Sequence, residues 1–201
     1  MRALDVFRMP KPVRVMGRSS SITNSFINGI IPSNYPSEED VIKALNILGM
    51  TAENVCCAYC GDKATEWDHF RPLIKKQEPT GYISEIQNLV PACGKCNQSK
   101  GNANWQEWML GNAKLCPRAR GVVDLDGRID RLKCYEKWRP PTKLDIPEIV
   151  GEKLWGQYRK NWRALLDAMG ESQKLALEIR EKLSNIHNQP DRKNVQRDEK
   201  Q

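Results

Sequence analysis

Two Cys-x2-Cys pairs, Cys57-Ala58-Tyr59-Cys60 and Cys93-Gly94-Lys95-Cys96, constrain this chain more than any other feature. Such a turn presents two sulfurs to one face of a metal, and two turns close a tetrahedral thiolate site. Four thiolates leave no open coordination position, so the expected metal is a structural zinc. It would staple together the two ends of the 32-residue segment between Cys60 and Cys93. Cys56 is a spare beside Cys57, and the two-residue gap to Cys60 selects Cys57 as the ligand. Cys116 and Cys134 stand alone and are expected to be small buried apolar side chains.

Inside and just after this frame lie Trp67-Asp68-His69-Phe70, Asn88-Leu89-Val90-Pro91, Asn97 and Lys100-Gly101. The chain has 2 histidines, and His69 is one of them. Asp68 is a hard oxygen donor of the kind that suits Mg2+ or Mn2+. On a strand, Asp68 and His69 point to opposite faces, so one can hold a metal while the other faces a water. A neutral imidazole, with an ordinary pKa of about 6.5, takes a proton from water at neutral pH.

Taken together, residues 57 to 101 resemble the HNH endonuclease family, with its ββα-metal fold. The resemblance rests on Cys-x2-Cys, Asp-His, Asn-Leu-Val-Pro-x-Cys, then x2-Cys-Asn and x2-Lys-Gly, and it covers about a quarter of the chain. It implies that His69 is the general base, that Asn88 orients the loop carrying the base, and that Asp68 is a ligand of the catalytic metal. Asn97 stands where many members have a second histidine ligand. That H-N-N form tilts the catalytic metal toward Mg2+ or Mn2+. Lys100 falls at a basic position near the scissile phosphate. The implied activity is metal-dependent hydrolysis of DNA phosphodiesters, in a restriction or anti-phage defence nuclease.

Charge agrees with such a substrate. There are 32 Lys and Arg against 25 Asp and Glu, a net charge of +7 and a pI of about 9.1. A basic balance points to a polyanionic partner, with nucleic acid first. Lys75, Lys76, Lys95, Lys100, Arg118 and Arg120 are candidates for phosphate contacts. The chain has no run of roughly 18 apolar residues and no apolar stretch after its first charges, so a cytoplasmic location is expected. In that reducing compartment the 7 cysteines are not expected to form disulfides.

The fold class expected is α+β: a small ββα-metal core stapled by the four-Cys zinc site and surrounded by mostly helical extensions. The expected organisation is a basic arm and helix over 1–54, the nuclease core over 55–113, a helical region over 114–187 and a disordered tail over 188–201. Residues 1–36 read as irregular because of Pro10, Pro12, Pro32 and Pro36. Ser37 caps a helix with Val41, Ile42, Leu45 and Leu48 on its apolar face. Strands are expected over 55–59 and 64–70, a loop over 71–87, and a helix from Cys93. Asn104 caps a short helix carrying Trp105, Trp108 and Met109. Ile129, Leu132, Tyr135 and Trp138 form the apolar face of another. Asp124-x-Asp126-Gly127 matches the start of a calcium loop but lacks the later Glu. Pro147 starts a helix with Ile149, Val150, Leu154, Trp155, Tyr158, Trp162 and Leu165 on one face. Gly170 ends it, and a further helix covers Glu171 to Ile186.

Cutting both strands usually needs two active sites, which makes a homodimer an expected partner alongside DNA. Two other readings compete. A nuclease subunit that works only with a partner, such as a defence ATPase, would use the helical C-terminal half for docking. A non-enzymatic zinc-ribbon binder explains the cysteines and the charge but leaves Asp68, His69, Asn88 and Asn97 without purpose.

Overall fold

The computed structural model describes residues 6–7 and 9–187. They divide into two compact units, Asn24–Trp155 and a second formed by the described parts of Met1–Thr23 and Gly156–Gln201. The expected disordered tail lies outside the described residues.

The first unit is organised by a two-stranded antiparallel sheet. Strand β1 (Glu66–His69) pairs with a strand that opens on Leu89, with Asp68 opposite Val90 and His69 opposite Leu89. A two-stranded hairpin, β2 (Ile74–Lys75) and β3 (Glu78–Pro79), comes between them in sequence, so the partner strand is β4 (Leu89–Ala92). Helix α3 (Gly94–Lys100) follows β4 directly. Two helices precede the sheet, α1 (Ser19–Asn28), of which this unit holds the part from Asn24 onward, and α2 (Glu38–Ile47). Three follow within this unit: α4 (Trp105–Met109), α5 (Leu125–Trp138) and α6 (Ile146–Val150). The sheet β1–β4 followed by α3 is the expected ββα core.

Local signals account for these elements. Ser37 accepts a hydrogen bond from the Asp40 amide, and Glu38, Glu39 and Asp40 occupy the positive end of α2. Asn104 accepts from the amides of Gln106 and Glu107 and so starts α4. The core gathers Leu45 and Leu48 of α2, Trp105, Trp108 and Met109 of α4, and Ile129, Leu132 and Tyr135 of α5. Its centre is aromatic. Phe70 stacks on Trp105 with centroids 5.0 Å apart, and Tyr59 meets Trp108 edge-on at 5.2 Å. Ile42 is half exposed, and Cys134 is exposed where Cys116 is buried.

Several expected elements differ. Residues 55–59 form no strand, only a single bridge between Cys56 and Lys63. The backbone there is consumed by the knuckle: Cys57 N donates to Asp62 O at 2.7 Å and Gly61 N to Cys57 O at 2.8 Å. A chain curled to bring two sulfurs together cannot also run extended. Residues 71–87 contain the β2–β3 hairpin, whose turn places Lys76 and Gln77 at φ of 52° and 62°. Such a turn is usually signalled by Asn-Gly, and here that signal is missing. Residues 15–28 are helical, beginning with a 3-10 turn at Val15–Arg18. The prolines sit outside this span and do not break it.

In the second unit, helix α7 (Glu152–His187) runs unbroken through Gly170; its first four residues belong to the first unit. Gly151, at φ 84°, separates it from α6. Trp155 and Trp162 are buried as expected, while Ile149 and Leu154 are exposed. A mid-helix glycine costs only about 1 kcal/mol, which a long helix absorbs. A Cβ at Gly170 would meet nothing within 4 Å. Gly170→Ala is therefore expected to stabilise the protein by about 0.5–1 kcal/mol, read from denaturant unfolding; a loss of stability would show that Gly170 terminates the helix.

Candidate active site

The four sulfurs of Cys57, Cys60, Cys93 and Cys96 lie within 4.8 Å of one another. A tetrahedron of thiolates at about 2.3 Å from zinc has edges of about 3.8 Å, and Cys60 Sγ and Cys93 Sγ are 3.7 Å apart. The donor set, its spacing and its burial therefore fit zinc. The electrostatics agree, because four thiols this close cannot all ionise unaided. Hydrogen bonding to Cys60, with burial, pushes the Cys57 thiol up to about 12, and hydrogen bonding to Cys57 and Cys60, with burial, raises Cys96. Cys60 moves down as it takes their hydrogen bonds. Arg120, a candidate phosphate contact from sequence, is instead engaged here. Its guanidinium pairs with Asp62 at 2.7 Å and donates to Cys96 Sγ at 3.4 Å.

The frame places the chemistry. On strand β1, Glu66 and Trp67 are exposed while Asp68 is buried. Tyr59, inside the first knuckle, donates to Asp68 Oδ2 at 2.6 Å. Lys100, in the last turn of α3, pairs with Asp68 at 2.9 Å and donates to His69 O at 2.9 Å. Lys100 is buried, so it lies under the strand and not on a surface that faces DNA. Burial raises the Asp68 carboxyl above its ordinary range, and Lys100 and Tyr59 pull it back part of the way. Burial, then the Lys100 charge, lowers His69 below its ordinary value, which keeps the ring neutral at neutral pH. His69 Nε2 lies 2.9 Å from Ser84 Oγ. When Nε2 is the donor, Nδ1 retains its lone pair.

Asn88 is fully buried and saturated. Its Oδ1 accepts from Arg71 N at 2.7 Å, and its Nδ2 donates to Arg71 O at 3.1 Å and Ile83 O at 3.0 Å. It thereby clamps the segment after His69 to the segment before β4. Asn97 Nδ2 donates to Glu66 at 2.6 Å, which leaves its Oδ1 as the remaining donor atom. Asp68, His69 and Asn97 line one open cavity of about 170 Å³, together with Asn24, Asn28 and Asn102. One carboxylate and one amide oxygen suit a hard divalent cation that keeps several waters. Lys75 and Lys76 are exposed in the hairpin and Lys95 is exposed on α3.

Four positioning residues were not singled out from sequence. Glu66 shares a strand face with Asp68 at spacing two, which was a usable signal. Tyr59, Ser84 and Asn24 meet the site only through folding, and nothing local marks them.

Two expectations follow. Removing the metal from the thiolate site with a chelator should abolish the cooperative melt of the first unit, because binding energy there is folding energy; an unchanged melt with the metal shown to be released would refute a structural site. Lys100→Met strands a buried carboxylate and should lower the unfolding free energy by about 3–5 kcal/mol. A surface lysine would cost almost nothing, so denaturant unfolding separates the two placements.

Residues 57–103 match the HNH endonuclease family. The chain is also similar to a CRISPR-associated endonuclease Cas9 of Corynebacterium diphtheriae, 40% identical over 60 residues. That stretch is 28% of this chain and 5% of the relative, so the chain covers only a small part of that protein's length. No solved structure matches.

Proposed function

Since residues 57–103 are an HNH endonuclease domain, we propose that this protein is a divalent-metal-dependent DNA endonuclease whose base is His69. The observation that carries this reading is the convergence of Asp68, His69 and Asn97, from β1 and α3, on one cavity. A bound Mg2+ or Mn2+ would supply Lewis-acid neutralisation of charge on the phosphodiester. Asp68 and the Asn97 Oδ1 would hold it. Tyr59 and Lys100 fix the Asp68 carboxylate from behind. His69, neutral and oriented by Ser84, would accept the proton of the attacking water. Asn88 keeps the His69 loop in place without touching substrate. Zinc in the four-Cys site would hold the frame.

Charge supports nucleic acid as the substrate. Residues 24–155 carry 17 Lys and Arg against 17 Asp and Glu, while the remainder carries 15 against 8. The whole surplus of +7 therefore belongs to the unit without the cavity, and that unit is proposed to attract the phosphate backbone. Lys75, Lys76 and Lys95 are proposed phosphate contacts nearer the site. A restriction or defence role is the proposed setting, in line with the CRISPR-associated name of the similar endonuclease.

A second reading has its own support. In that relative the matching stretch is 5% of a much longer polypeptide, which fits a nuclease module that acts only with a partner, such as a defence ATPase. A homodimer is proposed only for double-strand cutting. Wild-type protein is expected to cut supercoiled plasmid with Mg2+ or Mn2+ and not with EDTA. His69→Ala should lose cleavage by at least about 100-fold, the usual worth of a general base, while still binding DNA. Undiminished cleavage by His69→Ala would remove it from the mechanism; no cleavage by wild type alone would favour the partner-dependent reading.

A further inference from the structure

The cavity that holds Asp68 and His69 has an unusual wall. None of the described residues that line it is Lys or Arg. The nearest buried cation, Lys100, is spent on Asp68 and on the His69 carbonyl. Besides His69 and the proposed metal ligands, the polar side chains that a phosphodiester entering this cavity meets are the exposed Asn24, Asn28 and Asn102, with Pro72, Leu73 and Ile74 forming an apolar side. Among the described residues, nothing hydrogen-bonds the side-chain amides of these three. Asn24 and Asn28 are four residues apart on α1, so they share one face.

That face is held in register with the base. Ile27, between the two asparagines, is buried and anchors the end of α1. Just beyond the helix, Asn34 N donates to Ser84 O at 2.8 Å and Ser84 N donates to Pro32 O at 3.1 Å. Ser84 is the same residue that contacts His69 Nε2. The amides and the imidazole are thus fixed to one another through a single bridge.

We infer that Asn24 and Asn28, with Asn102, form a neutral phosphate-gripping wall that positions the sugar-phosphate backbone of the strand being cut. Each amide N–H donates to a phosphate or sugar oxygen, a contact type that sets register on nucleic acid without reading sequence. The cavity is far smaller than a duplex and suits a single backbone unit. This inference rests on the endonuclease reading above and adds the substrate group that α1 contacts.

Neutral and cationic contacts differ in a measurable way. A lysine on a phosphate releases a counterion and steepens the salt dependence of binding, whereas an amide does not. The test is fluorescence anisotropy of a fluorescein-labelled DNA duplex over a salt series, in the His69→Ala background so that the duplex survives. Asn24→Ala with Asn28→Ala should weaken binding roughly tenfold or more, with an unchanged salt slope and an unchanged melt. Asn28→Asp, of the same shape but negative, should weaken it further. Lys75→Ala with Lys76→Ala is the contrast and should flatten the slope. Wild-type affinity in both asparagine variants, a flattened slope, or a lowered melt in the alanine pair would each overturn the wall. If the His69→Ala parent binds no duplex and wild type cuts none, the endonuclease reading itself has failed. If both activities are present and only the asparagine changes are silent, the wall alone has failed.

Discussion

Convergence of four cysteine sulfurs is the constraint on which the rest of the catalytic unit depends. The first pair precedes β1 and the second opens α3, so closing the cluster brings the two ends of the core segment together. The same closure buries Tyr59, which sits between two ligands and reaches Asp68. A small two-stranded sheet is marginal by itself, and it gains its rigidity from this staple and from the aromatic packing of Phe70, Trp105 and Tyr135.

The site is built in two layers with opposite demands. Behind β1, Asp68 is desolvated and must be matched by Tyr59 and Lys100, because an unmatched buried carboxylate is costly. The same carboxylate lines the open cavity, whose wall combines the amides of Asn24, Asn28, Asn97 and Asn102 with the apolar Pro72, Leu73 and Ile74. Lys100 links the layers: one ammonium neutralises the carboxylate, binds the His69 carbonyl and lowers the basicity of the ring. Asn88 performs the analogous service for the backbone, with every amide hydrogen-bonding group that it uses directed at main chain.

Much of this was legible in the sequence. Cysteine spacing marked the thiolate cluster, and Ser37 and Asn104 marked two helix starts that the structure shows capped. Asp68, His69 and Asn97, expected together at one site, do share one cavity. The errors have physical causes. Glycine is a poor helix former, so Gly170 signals a stop, but its cost of about 1 kcal/mol is small in a helix of this length with Trp155 and Trp162 buried. The hairpin at Lys76 and Gln77 leaves no local signal, because its positive-φ turn lacks the residues that usually announce one.

By itself the sequence determined the ligand types, their spacing and the strand and helix that carry them, because metal geometry and backbone periodicity act over a few residues. Only the tertiary structure decided which faces those residues share. Lys100, read as a surface contact, is buried because α3 packs its last turn beneath β1. Ser84 and Asn24 join the site from segments far from His69 in sequence, through backbone bridges that no local pattern encodes. Side-chain chemistry is written residue by residue, but desolvation and hydrogen-bond partnership depend on what the folded chain brings alongside.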